Sequence, residues 1–355
     1  MGRAAVRAAE TLTVALVVIA RNEASGIGRL LASVAPWVDR MLVLDTGSTD
    51  HTVALALAAG AQVAHFRWCD DFSAARNAAL DLAAADWHLV LDADEWLING
   101  GESLQRLRAT APHFVGALQL VDDSGDAPVI DWLSRVLPRP LRYAGRVHEQ
   151  PQHALPVRRL PLRIGHDGYT PQRLAAKRGR NRPLLLADIA AAPHDAYLWY
   201  QLGKDHAAYA EHAQAAAAFA RADALRHAAV AWRHDLATRQ LFALKKSGRH
   251  ADAVAYAQTR LTDCEGSPDF FFALGDLLLD WAAEAPERSE NWLPMAEAAW
   301  TRCLEIGERP DLPGAVQGRG SHLAAHNLAV LYEGLGWVDR ARAMRRRYHV
   351  VPAAG

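Results

Sequence analysis

The stretch "DWHLVLDADEWL" (residues 86–97) decides the fold. Leu89, Val90 and Leu91 form an apolar run of strand type, and Asp92, Asp94 and Glu95 follow at once. Acids at the end of a buried strand are costly unless positive charge meets them. If the strand persists, Asp92 and Asp94 alternate onto one face. Two carboxylates on one side suit a hard divalent cation, with water and phosphate oxygens filling its remaining positions. A three-residue acidic pattern also arises by chance, so its neighbours must support the reading.

They do. "VALVVIA" (14–20), "RMLVLD" (40–45), "QVAHFRW" (62–68) and "HLVLDA" (88–93) read as strands, and "IGRLLASVAPWV" (27–38), "TDHTVALALAAGA" (49–61) and "DFSAARNAALDLAAA" (71–85) as the helices between them. Asp71 or Ser73 can cap the third helix. Alternating helices and fully apolar strands predict an α/β fold, a mostly parallel sheet with helices on both faces. Ligands of such sheets bind beyond the carboxyl ends of the strands. The acidic groups at 45–50 and 92–95 both fall there. A further strand is expected at "VGALQLVDD" (115–123). "RYAGRVHEQ" (142–150) and "RLPLRIGHDGY" (159–169) read as strands and loops that finish the site.

From about residue 190 the strands stop and alanine-rich helical segments begin. Trp199, Leu202, Gly203, His206, Ala215, Phe219 and Ala222 fall on the spacing of a tetratricopeptide repeat, with His206 where Tyr is usual. A degenerate pair follows at 230–262. A third starts at Phe271, Leu274 and Gly275 and resumes at Ala296 and Trp300 after an insertion containing "EAPERSENW". A fourth carries Leu328, Ala329, Tyr332 and Ala341. Two domains are therefore expected, at 1–190 and 191–355, the second an all-α repeat array that binds a partner or pairs subunits as a homodimer.

Bulk properties narrow the classes. A net charge of -1 and a pI near 7 give no global basic field for nucleic acid or an anionic membrane. Cys69, Cys264 and Cys303 are far apart, with no zinc spacing and no disulfide framework, so a reducing, cytoplasmic setting is expected. Arg3 and Arg7 before "TVALVVIA" imitate a weak signal peptide, but Glu10 interrupts them and no convincing cleavage site follows. No apolar run reaches transmembrane length.

Two more stretches carry chemistry. In "VLDTGSTD" (43–50) a strand delivers Asp45 to its tip, Gly47 permits a tight turn, and Ser48 or Thr49 can cap the next helix. Such a turn serves any α/β protein; its functional use is a carboxylate that accepts from a nucleobase. In "RWCDDFSAARNAAL" (67–80), Arg76 and Asn77 lie one turn inside a helix, where they can face the same ligand as Asp45.

Taken together, "IARNE" (19–23), "LDTGSTDHT" (44–52), "DDFSAARN" (70–77) and "DWHLVLDADEWL" (86–97), in this order and spacing, resemble the family 2 glycosyltransferases of the nucleotide-sugar-binding GT-A fold. The resemblance continues through "GRVHEQ" (145–150), "HDGY" (166–169) and "KRGRN" (177–181). With the repeats it is similar to the branch that includes peptide S-glycosyltransferases and related lipopolysaccharide-core transferases. It implies a nucleotide pocket lined by Asn22, Glu23 and Asp45, with uridine as base; relatives often have two consecutive acids where this chain has Asp45 and Thr46. It implies that Arg76 and Asn77 lie near ribose or diphosphate, and that Asp92 contacts ribose or sugar. Asp94 is then the ligand of Mg2+ or Mn2+, a Lewis acid for the leaving nucleotide. His166 is a second metal ligand or a structural histidine. Lys177, Arg180 and Asn181 close over the diphosphate or form a solvated basic face.

Family 2 enzymes invert the anomeric centre, which requires a general base beside the acceptor. The resemblance assigns Glu149, with His148 as neighbour; an ion pair of Glu149 with Arg142 or Arg146 is the competing use. Asp94 is a poor base if it holds the metal. The acceptor implied by the repeats is a peptide or protein, with a saccharide or lipopolysaccharide as the alternative. A non-catalytic repeat scaffold is the rival from another class. A nucleotidyltransferase would carry a glycine-rich basic loop after the first strand, and a dehydrogenase GxGxxG there; "ARNEASGIGRL" offers neither.

Overall fold

A computed structural model describes residues 11–123, 125, 127–166 and 179–350. The chain divides into two compact units, Met1–Asp122 with Trp132–Ala176, and Asp123–Asp131 with Lys177–Gly355.

In the first unit, strands β1 (Val14–Ala20), β2 (Arg40–Asp45), β3 (Gln62–His65) and β4 (Trp87–Asp92) run parallel in the order β3-β2-β1-β4. Strand pleating explains their apolar sequences. Val14, Leu16 and Val18 enter one core with Ile27, Leu30 and Leu31 of helix α1 (Ile27–Val34). Ala15 and Val17 enter the opposite core with Ala75, Ala79 and Leu80 of α3 (Phe72–Ala83). α1 stops at Val34, where Pro36 forces a short 3-10 turn, Ala35–Trp37. α2 is only Thr52–Ala58, because Asp50 accepts from the Thr52 N–H (2.9 Å) and fixes the start later than the apolar pattern suggests. Asp71 caps α3 as expected, accepting from the Ala74 N–H.

The chain continues through β5 (Glu95–Asn99), α4 (Glu102–Leu107), β6 (Val115–Asp122), β7 (Val129–Pro138), β8 (Arg142–Ala144), β9 (Gln150–Gln152) and β10 (Val157–His166). The sheet extends from β4 as β7-β6-β10-β5. β7 is antiparallel to β4, and β10 is parallel to β6 and antiparallel to β5. The sheet is therefore mixed on this side. β8 and β9 pair as a small separate ribbon.

The second unit holds α5 (Asn181–Ala191), then helix pairs α6 (Ala196–Ala208) with α7 (His212–Leu225), α8 (Arg233–Lys246) with α9 (His250–Arg260), α10 (Pro268–Glu284) with α11 (Ser289–Ile306), and α12 (His322–Gly334) with α13 (Val338–Tyr348). The repeat spacing has a packing cause. A Cβ on Gly203 would lie 2.3 Å from the Phe219 ring, and one on Gly275 would lie 2.5 Å from Trp300. Each glycine lets its paired helix approach over a large aromatic residue. The insertion near 284–292 lengthens α10 and α11 to 17 and 18 residues, with a single 3-10 turn between them, rather than forming a loop. The α11–α12 connection supplies β11 (Ala315–Val316), which pairs antiparallel with Val129 and Ile130 inside this unit. Among the described residues no helix is long and apolar enough to cross a membrane.

Candidate active site

The parallel strands place the first acids. Ala20 of β1 pairs with Asp45 of β2, and Ile19 with Asp92 of β4. Asp45 and Asp92 thus end two strands separated by one, roughly 10 Å apart. Asp45 is buried and accepts from the Gly47 N–H (3.2 Å) and Ser48 N–H (3.1 Å), with His65 Nδ1 at 3.3 Å. Burial alone would raise its carboxyl; the Ser48 and Gly47 hydrogen bonds outweigh it and hold it below the usual range. Both oxygens serve the turn first, so a nucleobase meets only the remaining lone pairs. Asn22 Oδ1 accepts from the Thr49 N–H (2.7 Å), and the Glu23 N–H donates to Thr52 Oγ1 (2.7 Å). Asn22, Glu23 and Asp45 therefore belong to one locked pair of loops.

The acidic stretch departs from expectation. β4 ends at Asp92, Ala93 and Asp94 make a turn, and β5 begins at Glu95. The strand does not persist, so Asp92 and Asp94 do not share a face by alternation. They have different partners. Asp92 is gripped by two arginines, Arg76 through Nη2 (2.5 Å) and Arg135 through Nη2 (2.8 Å). Glu95 accepts the Asp92 N–H (2.8 Å) and faces Arg135 at 3.5 Å. Positive charge at this strand end is thus supplied by the protein. Burial would raise the Asp92 carboxyl, but Arg135 and Arg76 hold it well below the ordinary range. Glu95 goes the other way: burial, against the pull of Arg135 and helped by the Asp92 charge, lifts it to about 7. Burial would depress both guanidinium groups, yet Asp92 with Glu149 raises Arg76, and Asp92 with Glu95 raises Arg135.

Asp94 meets His166 instead. In the β5–β10 ladder Glu95 lies opposite His166 and Trp96 opposite Gly165. A Cβ on Gly165 would fall 2.4 Å from the Trp96 ring, and the Arg29 guanidinium lies 3.5 Å from that ring. This close approach needs glycine and fixes the register. His166 Nε2 then sits 3.6 Å from Asp94 Oδ2, with both side chains largely buried. Among the described residues no group of three or more His, Cys, Asp or Glu could hold a metal. A carboxylate and an imidazole nitrogen are a sound partial donor set for a cation whose other positions go to phosphate and water.

The β8–β9 ribbon carries the loop with His148 and Glu149. The Phe72 N–H donates to the Arg146 carbonyl (2.8 Å), tying this loop to the start of α3. Glu149 pairs with Arg76 Nε, whereas Arg142 is paired with Asp81 (2.5 Å). His148 takes a left-handed backbone (φ 53°) just before the base candidate. The Asn77 amide donates to the Tyr143 carbonyl (3.0 Å) and accepts the Tyr143 N–H (2.8 Å), so it anchors β8. Arg180 belongs to the helical unit, where it precedes α5 and donates to Asn181 Oδ1 (3.0 Å); Lys177 lies outside the described residues. The sequence reading missed Arg135 and Tyr143. Arg135 directly precedes Val136–Pro138, the stretch of β7 that pairs with β4, so only the strand order reveals it.

Residues 15–150 match the family described as "Glycosyl transferase family 2". The first unit is accordingly a family 2 glycosyltransferase domain of GT-A fold, followed by tetratricopeptide-like repeats. Among curated relatives, a TPR repeat-containing protein of Synechococcus elongatus is 40% identical over 209 residues, 54% of this chain and 51% of that one. The SPbeta prophage-derived glycosyltransferase SunS of Bacillus subtilis is 27% identical over 195 residues, 50% of this chain and 45% of that one. This chain thus spans about half the length of the curated relatives it matches. Among solved structures, glucosyl-3-phosphoglycerate synthase of Mycobacterium tuberculosis, in complex with Mn2+, UDP and glucosyl-3-phosphoglycerate, is 26% identical, covering 32% of this chain and 45% of that chain with a TM-score of 0.27.

Proposed function

We propose that this chain transfers a hexose or N-acetylhexosamine from a nucleotide sugar, with uridine as base, to a peptide or protein acceptor with inversion, assisted by Mg2+ or Mn2+. The observation that carries the reading is the approach of His166 to Asp94 at the end of the acidic stretch of a family 2 domain. Asp94 and His166 would hold the ion, and when bound it would neutralise charge on the departing diphosphate. The mixed oxygen and nitrogen donors favour Mn2+ over Mg2+. Asn22, Glu23 and Asp45 would line the nucleotide pocket. Asp92, which pairs with Arg76 and Arg135 in the structure, would face the sugar. Glu149 would take the acceptor's proton, with Arg76 fixing its position.

The repeats support a peptide or protein acceptor, because stacked helix pairs offer an extended binding face. A saccharide acceptor is the second reading, and one observation favours it. Part of the helix face is taken by the chain itself: Asp269 of α10 accepts the Val316 N–H of β11 (3.1 Å), and a Cβ on Gly314 would lie 2.2 Å from Asp235 of α8.

The test is release of UDP from a panel of UDP-sugars, with product mass spectrometry, in the presence of Mn2+ or EDTA. Asp94→Asn and His166→Ala should each weaken Mn2+-dependent UDP binding and cut turnover by about 10²-fold, on the scale seen when metal-site groups are lost. Turnover that survives EDTA would refute the metal's role; no turnover with any donor would favour the scaffold.

A further inference from the structure

The cluster around Glu149 contains two donors that the proposed reaction leaves unused. Tyr143 is 5% exposed, and its hydroxyl is enclosed without a hydrogen-bond partner; Arg76 Nη1 is enclosed and unpartnered as well. Neither residue can turn away to find one. Asn77 clamps both backbone polar groups of Tyr143, and Arg76 is held through Nε and Nη2 by Glu149 and Asp92. The Arg76 guanidinium carbon lies 5.6 Å from the centre of the Tyr143 ring. Burial raises the Tyr143 pKa, and Arg135, Arg76, Glu149 and Asp92 all act on the phenol, so the hydroxyl stays protonated as a donor.

A buried hydroxyl with no partner destabilises a fold, and replacing it with an apolar group of the same shape is neutral or stabilising. Such costs persist where a ligand uses the group. Of the three acids in the cluster, Asp92 alone reaches solvent substantially, its side chain 35% exposed against 3% for Glu95 and 8% for Glu149. It is the member an entering ligand can replace.

We propose that the Tyr143 hydroxyl and Arg76 Nη1 are specificity-determining donors kept for an oxygen of the nucleotide sugar, a hexose hydroxyl or a phosphoryl oxygen, which reaches them by exchanging with the Asp92 carboxylate. This rests on the glycosyl-transfer reading above. Tyr143→Phe removes only the hydroxyl and leaves the ring and the Asn77 clamp in place. Its unfolding midpoint should equal or exceed that of the parent. With Mn2+ present, kcat/KM for UDP-glucose or UDP-N-acetylglucosamine should fall about tenfold or more, as when a polar site loses one substrate hydrogen bond. Unchanged affinity for UDP alone assigns the oxygen to the hexose; a parallel loss of UDP affinity assigns it to the diphosphate. Unaltered turnover and affinity would overturn the proposal. So would a lowered midpoint, which would mean that the hydroxyl serves a buried water. Failure of the parent protein to bind UDP or any UDP-sugar would instead sink the glycosyl-transfer reading, while the midpoint comparison still reports on the hydroxyl.

Discussion

Both units bury carboxylates, and they hold them differently. In the second unit, Asp131 accepts the Gly314 N–H (2.6 Å), Asp269 accepts the Val316 N–H (3.1 Å) and an Arg319 N–H (3.0 Å), and Asp235 accepts from Tyr200 and Arg239. For Asp131 and Asp269 a backbone amide is among the donors, and it cannot leave. In the glycosyltransferase domain, Asp92, Glu95 and Glu149 share the side chains of Arg76 and Arg135. Three acids draw on two cations, and two donors stay unused. An acid fixed by backbone amides is a brace. An acid fixed by a shared arginine can be re-partnered when a ligand arrives, which a reacting site requires.

The sharpest way to break this contrast is Glu149→Gln. The shape is kept and the proton acceptor is lost. Turnover should fall on the order of 10³-fold, within the range for general-base removal, while UDP binding and the folded state persist. Turnover within a few-fold of the parent would return Glu149 to a purely structural ion pair.

Removal of one cation from each unit comes next. Arg135→Met leaves Asp92 with one guanidinium and Glu95 with none, in a buried site; a loss of about 3–5 kcal/mol is expected for half of a buried pair. Arg239→Met in the repeats leaves Asp235 with the Tyr200 hydroxyl, and the Arg239 side chain is already 32% exposed. About 1–2 kcal/mol is expected there. Hydrogen exchange by mass spectrometry reads the two units separately. Equal losses would erase the distinction between shared and fixed partners.

How far the sequence disclosed this site follows from which interactions are local. Continuous apolar runs predicted β1, β2 and β4 to within a residue; the Asp71 cap was visible because its partner is a few positions away, and Gly203 and Gly275 because the repeat fixes their spacing to Phe219 and Trp300 of the paired helix. Arg135 was invisible: it reaches Asp92 only because β7 inserts beside β4, a long-range pairing with no sequence period. The Asp92–Asp94 alternation failed because the chain turns at Ala93, and Glu95 caps that turn by accepting the Asp92 N–H. His166 was found by resemblance, and its nearness to Asp94 comes from a ladder register that Gly165 and Trp96 set across about 70 residues of chain.

The same comparison can be tested through pH, with opposite signs in the two units. His88 of β4 is buried and neutral, with Nε2 accepting the Ala85 N–H (3.3 Å). Burial, then Arg139 and Arg142, lower its pKa from 6.5 to about 4. Between those values the unfolded chain binds a proton that the folded chain refuses. The His88 contribution is therefore full above pH 6.5 and is lost as pH falls toward 4, by about 3 kcal/mol. Asp276 of α10 behaves inversely. Burial, against Lys245 and Arg319, raises it from 3.8 to about 6. The folded chain keeps a proton that the unfolded chain has released, so this stability is full below pH 3.8 and is lost as pH rises through 6, by a similar amount. The two slopes oppose each other, and a single urea titration of the whole chain averages them. Differences between parent and variant separate them. The parent should gain on His88→Gln as pH rises from 4.5 to 6.5, and lose ground to Asp276→Asn over the same range. A constant offset from lost packing leaves each slope intact, so two flat differences would mean that neither group is desolvated as the structure places it.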